Sequence, residues 1–464
     1  MTDVLALARE ALGEQPGWLV GGAVRDELLG RPPATDLDLV ADGPIEPLAR
    51  ALARAARAAA FALSDEFGAW RVVARDHAWQ ADITPLHGGD IESDLRRRDF
   101  TVNAIARPLD GGELVDPLGG AADLRAGRLR LVSAGALEED PLRALRLVRL
   151  SCELGLAADA DAREGVRAAA GSLARVAGER VYAELRRVLA SERAGEGIRL
   201  ALELGVCASV LPELEALRDT QQSRYHHLDA LDHTLEVLDC AVALQRDPAS
   251  AFGAEHAQAI GTLLAAPLGD EMTRGTALRF GALLHDVAKP QTRTVMSDGR
   301  VGFPAHDVEG VTMARAIFGR LHAAERVQAH VGGLIRNHLR LGFLVHEAPL
   351  SARARYRYLD SAAGVEADVT LLSVADRLGT RGAGSDAAIA RHLELARAVI
   401  GEALRWSNQG RPPALVRGDE LARALGIEPG PLIGELLAAI AEEAYAGEVR
   451  SARDAIAFAA ARIA

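Results

Sequence analysis

The sequence predicts an α+β protein, with a small mixed sheet inside about the first 133 residues and helices from there to the end. Three observations carry this expectation. Short apolar runs bounded by turn residues recur early, at Trp18-Leu19-Val20, Leu37-Asp38-Leu39-Val40 and Trp79-Gln80-Ala81-Asp82-Ile83, and runs of that length suit buried strands. Beyond them the chain is rich in alanine and arginine, and with only 4% aromatic residues its composition favours helix. At 464 residues, 49% of them hydrophobic, there is enough material for several domains.

The first strand runs into Gly21-Gly22, where backbone can approach a phosphate, and Ala23-Val24-Arg25-Asp26-Glu27-Leu28-Leu29 continues as a helix whose N-terminus favours an anion. In the second strand Asp36 and Asp38 stand at alternate positions and share one face. Two carboxylates so placed repel unless a cation lies between them, and a hard divalent ion bound by oxygen is the usual answer. Asp82, in a further strand-like run, is a candidate third carboxylate. Taken singly, a Gly-Gly turn and an Asp-x-Asp are common features of α/β proteins; their order here is what is informative. Arg96-Arg97-Arg98 adds three guanidiniums, each able to grip phosphate oxygens bidentately, and so suits a triphosphate.

These features resemble the metal-dependent nucleotidyltransferases that include DNA polymerase β, in which paired aspartates hold two metal ions for in-line phosphoryl transfer. The run Arg97-Arg98-Asp99-Phe100-Thr101-Val102-Asn103-Ala104 resembles the R-R-D-F-T-x-N-A signature of class II tRNA nucleotidyltransferases, the CCA-adding enzymes and bacterial poly(A) polymerases. The resemblance implies a polymerase-β-like head in which Asp36 and Asp38 are the catalytic ligands of Mg2+. It also implies nucleotide contacts from Gly21, Gly22, Arg25, Arg97, Arg98, Asp99 and Asn103, the last being equally at home as a buried structural residue.

Two further segments follow in the family's order. Leu114-Val115-Asp116-Pro117-Leu118-Gly119-Gly120 resembles the hinge between head and neck, and Asp-Pro with Gly-Gly does break regular structure. Glu139-Asp140-Pro141-Leu142-Arg143 matches the E-D-x-x-R motif that reads the incoming base, with Arg146 one turn further on. Asp140 is expected to cap this helix, with Pro141 at its first position and Arg143 beside Asp140 on the same face. As a base reader, Asp140 would accept from an exocyclic amine while Arg143 donates to a ring acceptor. Gly178-Glu179-Arg180-Val181-Tyr182 resembles the neck motif that supports this helix.

A second chemical centre is expected downstream from His233, His285-Asp286, His306, His338 and Asp376, whose order resembles the HD phosphohydrolases, where such residues converge from several helices on one or two metals. Imidazole with carboxylate suits a transition metal such as Mn2+, Ni2+ or Co2+. Lys289, just after His285-Asp286, is the only lysine in the chain; a compact ammonium there suits a phosphate or an acidic group where a planar fork would not fit.

A net charge of −12 excludes a general nucleic-acid binder held by a basic arm, so an RNA substrate must be held by placed arginines. No apolar run is long enough to span a membrane and the N-terminus lacks a signal-peptide pattern, so a cytoplasmic protein with no membrane partner is expected. Cys152, Cys207 and Cys240 lack metal or redox spacing and read as buried thiols. The expected plan is a nucleotidyltransferase head over 1–133, an all-α neck and body over 134–222, an all-α HD domain over 223–385 and a helical tail over 386–464.

The resulting expectation is a tRNA 3′-end nucleotidyltransferase acting on the tRNA acceptor end with CTP and ATP, and carrying an HD phosphohydrolase. Between Asp82 and Asp94 the chain is short, whereas relatives that complete CCA carry a longer mobile loop there. The resemblance therefore implies addition of CC, with a separate A-adding enzyme acting on the same tRNA. The alternatives are a poly(A) polymerase and an HD phosphohydrolase with a non-functional head.

Overall fold

A computed structural model describes residues 4–64, 68–223, 226–382 and 384–463. The backbone forms two compact units, Met1–Val176 with Leu200–Val210, and Ala177–Arg199 with Leu211–Ala464.

In the first unit the elements run α1 (Val4–Leu12), β1 (Gly17–Val20), α2 (Gly22–Leu28), β2 (Asp36–Ala41), α3 (Ile45–Ala56), β3 (Ala59–Ser64), β4 (Ala69–Val73), β5 (Gln80–Pro85), α4 (Ile91–Leu95), β6 (Ala106–Pro108), α5 (Gly120–Arg125), α6 (Ala136–Glu139) and α7 (Leu142–Leu154). The six strands form one mixed sheet in the order β3-β4-β5-β2-β1-β6, in which only β2 and β5 run parallel. Period-two alternation sends Leu37 and Leu39 into the core and leaves Asp36 and Asp38 on the open face. Helix α3 closes the other face: Ile45, Leu48, Ala49, Leu52 and Ala53 recur at helical spacing and are all buried.

The hinge segment is closely packed. Asp116 accepts from the Gly120 and Ala121 N–H groups at 2.7 and 3.0 Å, and a Cβ on Gly120 would lie only 2.0 Å from the Thr101 carbonyl oxygen, so only glycine fits. Asp123 is buried and bonded by Thr101 Oγ1 at 2.6 Å and Arg130 Nη2 at 2.8 Å.

In the second unit the long helices Ala230–Arg246, Arg274–Leu284, His306–Arg320, Glu325–Asn337 and Glu366–Gly379 carry the histidine centre. Helix Gly178–Ala190 belongs with them, because Tyr182 packs against Phe280 and Phe318 and Arg279 donates to the Leu189 carbonyl at 2.9 Å. The stretch expected as one neck and body is thus shared between the two units. Towards the C-terminus, Val416, Leu421, Leu436, Ile440 and Ala455 form a hydrophobic cluster of their own. Cys152 and Cys207 are buried thiols, while Cys240 is only half-buried. Among the described residues no helix is long and apolar enough to cross a membrane.

Candidate active sites

The first unit gathers its charged residues at one end of the sheet. Register sets Asp38 beside Asp82 on β5 and beside Val20 on β1, the residue before Gly21. Gly21 has φ 72°, and a Cβ there would lie 3.1 Å from Asp38 Oδ2 and 3.2 Å from Arg98 Nη1, so the strand-to-helix turn approaches both groups because it carries no side chain. Asp36 accepts from Gln80 Nε2 at 3.0 Å.

Asp38 opens to solvent on one side, but protein crowds it on the others. The lost hydration, together with repulsion from Asp36, Asp82 and Asp99, lifts its pKa to about 6, although Arg98 pulls it down. Such a concentration of negative charge fits a divalent cation held by Asp36 and Asp38. Asp82 stands in the right row, but both its oxygens accept from Arg71, at 2.6 and 2.7 Å. Arg71 escaped sequence reasoning; its one signal was a lone arginine at a mid-strand position in Ala69-Trp70-Arg71-Val72-Val73.

Behind this face runs a chain of hydrogen bonds. Arg25, buried, donates from Nη1 to Asn103 Oδ1 at 2.7 Å; Asn103 Nδ2 donates to Asp99 Oδ1 at 3.0 Å; Arg146 Nη1 donates to Asp99 Oδ2 at 3.0 Å. Burial alone would raise the Asp99 pKa, but Arg146, Asn103 and the Phe100 N–H outweigh it and hold the carboxylate below its ordinary range.

Asp140 precedes α7 and accepts from the Leu142 N–H at 3.2 Å, so it caps from one position further out than expected, with Pro141 as the N-cap residue. Arg143 donates to the carbonyls of Ala136 and Arg97, each at 2.9 Å, and to Glu139 at 3.2 Å. Arg143 and the exposed Arg97 are thereby neighbours, while Arg98 turns the other way, toward Asp94 at 3.3 Å.

The second unit brings all six predicted HD residues together. Asp286 is central: its Oδ2 lies 3.1 Å from His285 Nε2 and 3.7 Å from His233 Nε2, its Oδ1 3.4 Å from His306 Nε2 and 3.9 Å from His338 Nε2. Asp376 Oδ1 is 3.1 Å from His233 Nε2. Two groups of metal-ligand geometry share Asp286, namely His233 with His285 and His306 with His338. Backbone carbonyls of Ala282, Phe303 and Ile335 accept from the Nδ1 atoms of His285, His306 and His338 at 2.9, 2.7 and 2.7 Å. That bond fixes the ring orientation and aims each Nε2 inward.

Among the described residues, the buried Nε2 atoms of His233 and His285 and Oδ2 of Asp286 face one another without making a hydrogen bond of proper angle, as expected of ligands converging on a cation. Burial pushes His338 down to about 4, which keeps that imidazole neutral; burial also works against charge on His285, but Asp286 outweighs it and favours the protonated ring. To hold a metal through Nε2, His285 would have to be in its neutral form. Lys289 is buried, 2.5 Å from Asp286 Oδ2 and 2.5 Å from Gln222 Oε1. The centre opens into a cavity of about 790 Å3 lined in part by Lys289, His226, Phe343, Arg377, Arg391 and His392. His226 had a signal in its neighbour His227 near the motif; His392, isolated in a long alanine-rich helix, had none.

Comparisons with known proteins give the family of the chain. Residues 17–130 match the family model described as "Poly A polymerase head domain", 155–217 match "Probable RNA and SrmB- binding site of polymerase A" and 230–378 match "HD domain". An A-adding tRNA nucleotidyltransferase of Deinococcus radiodurans is 37% identical over 95% of this chain and 94% of its own. The chain belongs to the tRNA nucleotidyltransferase family. A CC-adding tRNA nucleotidyltransferase of Thermus thermophilus is 34% identical over 95% of this chain and 92% of its own. Among solved structures, a CCA-adding enzyme in complex with ATP superposes with a TM-score of 0.66 at 20% identity, covering 100% of this chain and 95% of that one. The Thermotoga maritima CCA-adding enzyme with tRNA gives 0.61 at 20% identity, over 99% and 94%. At such identity these two likenesses concern the fold.

Proposed function

We propose that the chain transfers CMP from CTP to the 3′ end of tRNA and stops after the second cytidine. The observation that carries this reading is the connection Leu86–Asp90 between β5 and α4. It is short and tied down: Asp90 accepts from the Ser93 N–H at 2.7 Å, and Gly88 packs so tightly that a Cβ there would lie 2.7 Å from that of Ser93. A segment held in this way has little freedom to rebuild the base site from CTP to ATP.

In this reading Asp36 and Asp38 hold Mg2+, which when bound supplies an acidified 3′-hydroxyl and charge neutralisation on the leaving pyrophosphate. Arg97 and Arg98 take the triphosphate, with Gly21 and Gly22 giving it room. Asp99, Asn103, Arg25 and Arg146 position the sugar side of the site, and Asp140 with Arg143 reads the base edge. For the second centre, His233, His285, Asp286, His306, His338 and Asp376 would hold a transition metal such as Mn2+, Ni2+ or Co2+, which supplies a water of lowered pKa for hydrolysing phosphate esters. We place this activity in the cytoplasm, with the adenosine left to a separate enzyme.

The Deinococcus radiodurans relative favours a second reading, addition of the terminal adenosine alone. One assay separates the two: tRNA transcripts ending at the discriminator base, at C and at CC are incubated with each NTP singly and the products sequenced. CMP added to the first two, with the third left unextended by ATP, supports CC addition; AMP added to the CC end alone supports the second reading, and a run of adenosines supports a poly(A) polymerase.

A further inference from the structure

We propose that an arginine-lined groove on the head seats the phosphate backbone of the RNA, upstream of the end being extended. The proposal rests on the tRNA-nucleotidyltransferase reading for its choice of polyanion. The groove measures about 450 Å3; Arg50, Arg54, Arg57 and Arg75 rim it, small Ala53, Ala58 and Ala60 complete its lining, and no acidic residue contributes.

The charges are available. Arg50 pairs with Glu46 at 2.8 Å and lies 5.0 Å from the Trp70 ring centre, but Arg54, Arg57 and Arg75 are exposed and none has an ion-pair partner among the described residues. Elsewhere in this unit the exposed Arg31, Arg96 and Arg128 each pair with a carboxylate, and Arg97, Arg125 and Arg175, which do not among the described residues, stand apart from one another in sequence and line no shared groove with these residues. Guanidiniums left together without counter-charge repel one another, and a phosphodiester chain relieves that while taking bidentate hydrogen bonds from each. A favourable interaction with the C-terminus of α3 accounts for Arg54 and Arg57. It does not account for Arg75, which arrives from the end of β4.

Register places the groove relative to the catalytic face. Val73 of β4 pairs with Gln80 of β5, and Gln80 pairs with Asp36 of β2. Arg75 lies two residues beyond Val73, so the groove, on the α3 side of the sheet, opens at the sheet end that carries Asp36, two strands or about 10 Å away as measured across the sheet. A strand whose 3′ end lies at Asp36 and Asp38 can reach this rim, round that end of the sheet, with phosphates a few nucleotides back.

The test compares the full chain with R54Q/R57Q/R75Q and R54K/R57K/R75K, measuring affinity for a tRNA transcript lacking CCA over a salt series, and KM for CTP. Three phosphate contacts contribute roughly 2 to 3 to the slope of log K against log salt. The glutamine triple is expected to lose about that much slope and bind at least tenfold more weakly at low salt, with KM for CTP unchanged. The lysine triple, which keeps the point charges, is expected to retain the slope. An unchanged slope in the glutamine triple overturns the proposal, as does a raised KM for CTP with RNA binding intact, which makes the groove a nucleotide subsite. If the parent binds RNA with the expected slope difference yet adds no nucleotide, the groove stands and the proposed reaction falls.

Discussion

Arg146 Nη1 lies 3.0 Å from Asp99 Oδ2, a bond across 47 residues of sequence that joins α7 to the Arg-Arg-Asp segment. Through Asp99 and Asn103 it reaches Arg25, directly behind the Gly21-Gly22 turn. The helix that carries Arg143 and the turn that abuts Asp38 are therefore held by one set of charge-assisted bonds, and movement of one is felt at the other.

Arg146→Met removes the charge partner of a buried carboxylate. Because Asn103 and the Phe100 N–H remain and Arg146 is partly solvated, the expected loss is about 2–3 kcal/mol, at the upper end for a hydrogen bond to a charged group. The sign with pH follows from the depressed pKa of Asp99. Its contribution is fully present above the ordinary carboxylate pKa of about 4 and is lost as pH falls through the lower folded value. Urea titrations from pH 6 to pH 3 are expected to show the parent losing more stability than the variant; parallel curves would mean the bond carries no net energy.

Asp38→Asn separates stability from chemistry. With its pKa raised to about 6, the ionised Asp38 is disfavoured where it stands, so a neutral amide is expected to leave the melting temperature unchanged or higher. CMP incorporation is expected to fall by roughly a thousandfold or more, since a lost metal ligand removes several kcal/mol of transition-state stabilisation. Near-parental incorporation with the fold intact would falsify the carboxylate assignment.

What the sequence made legible follows from the range of each interaction. Alternation at Leu37-Asp38-Leu39 is a local property of a strand, and it put Asp36 and Asp38 on one face before any fold was known. The histidine centre was legible because His285-Asp286 directly follows the unmistakably apolar run of helix Arg274–Leu284 and the other ligands follow in order. Arg71 and the groove arginines were not, because their roles depend on which strand lies beside which, and strand order is set by tertiary packing rather than by neighbours in sequence.

His285→Ala takes one inward Nε2 from the group formed with His233 and Asp286. Hydrolysis of a 2′,3′-cyclic nucleotide is expected to drop to background with Mn2+, Ni2+ and Co2+ alike, while CMP addition by the head stays at the parental rate. Equal hydrolysis by parent and variant in all three metals rules out this centre as the hydrolase.

Asp140→Ala tests the base-reading assignment against a purely structural one. Both side chains of the pair have structural partners in the free protein, Asp140 through the Leu142 N–H and Arg143 through the Arg97 and Ala136 carbonyls. Loss of the cap alone costs helix stability, typically about 1 kcal/mol, and leaves the ratio of nucleotides untouched. Loss of an acceptor for the exocyclic amine instead removes roughly 1–3 kcal/mol of discrimination, equivalent to a CTP-over-UTP preference reduced by about tenfold to a hundredfold. The measurement is kcat/KM for each nucleotide on a tRNA lacking CCA, together with the melting temperature. A fall in preference larger than the fall in kcat for CTP identifies Asp140 as a reader of the base edge; an unchanged preference with a lower melting temperature leaves it as the support of α7 alone.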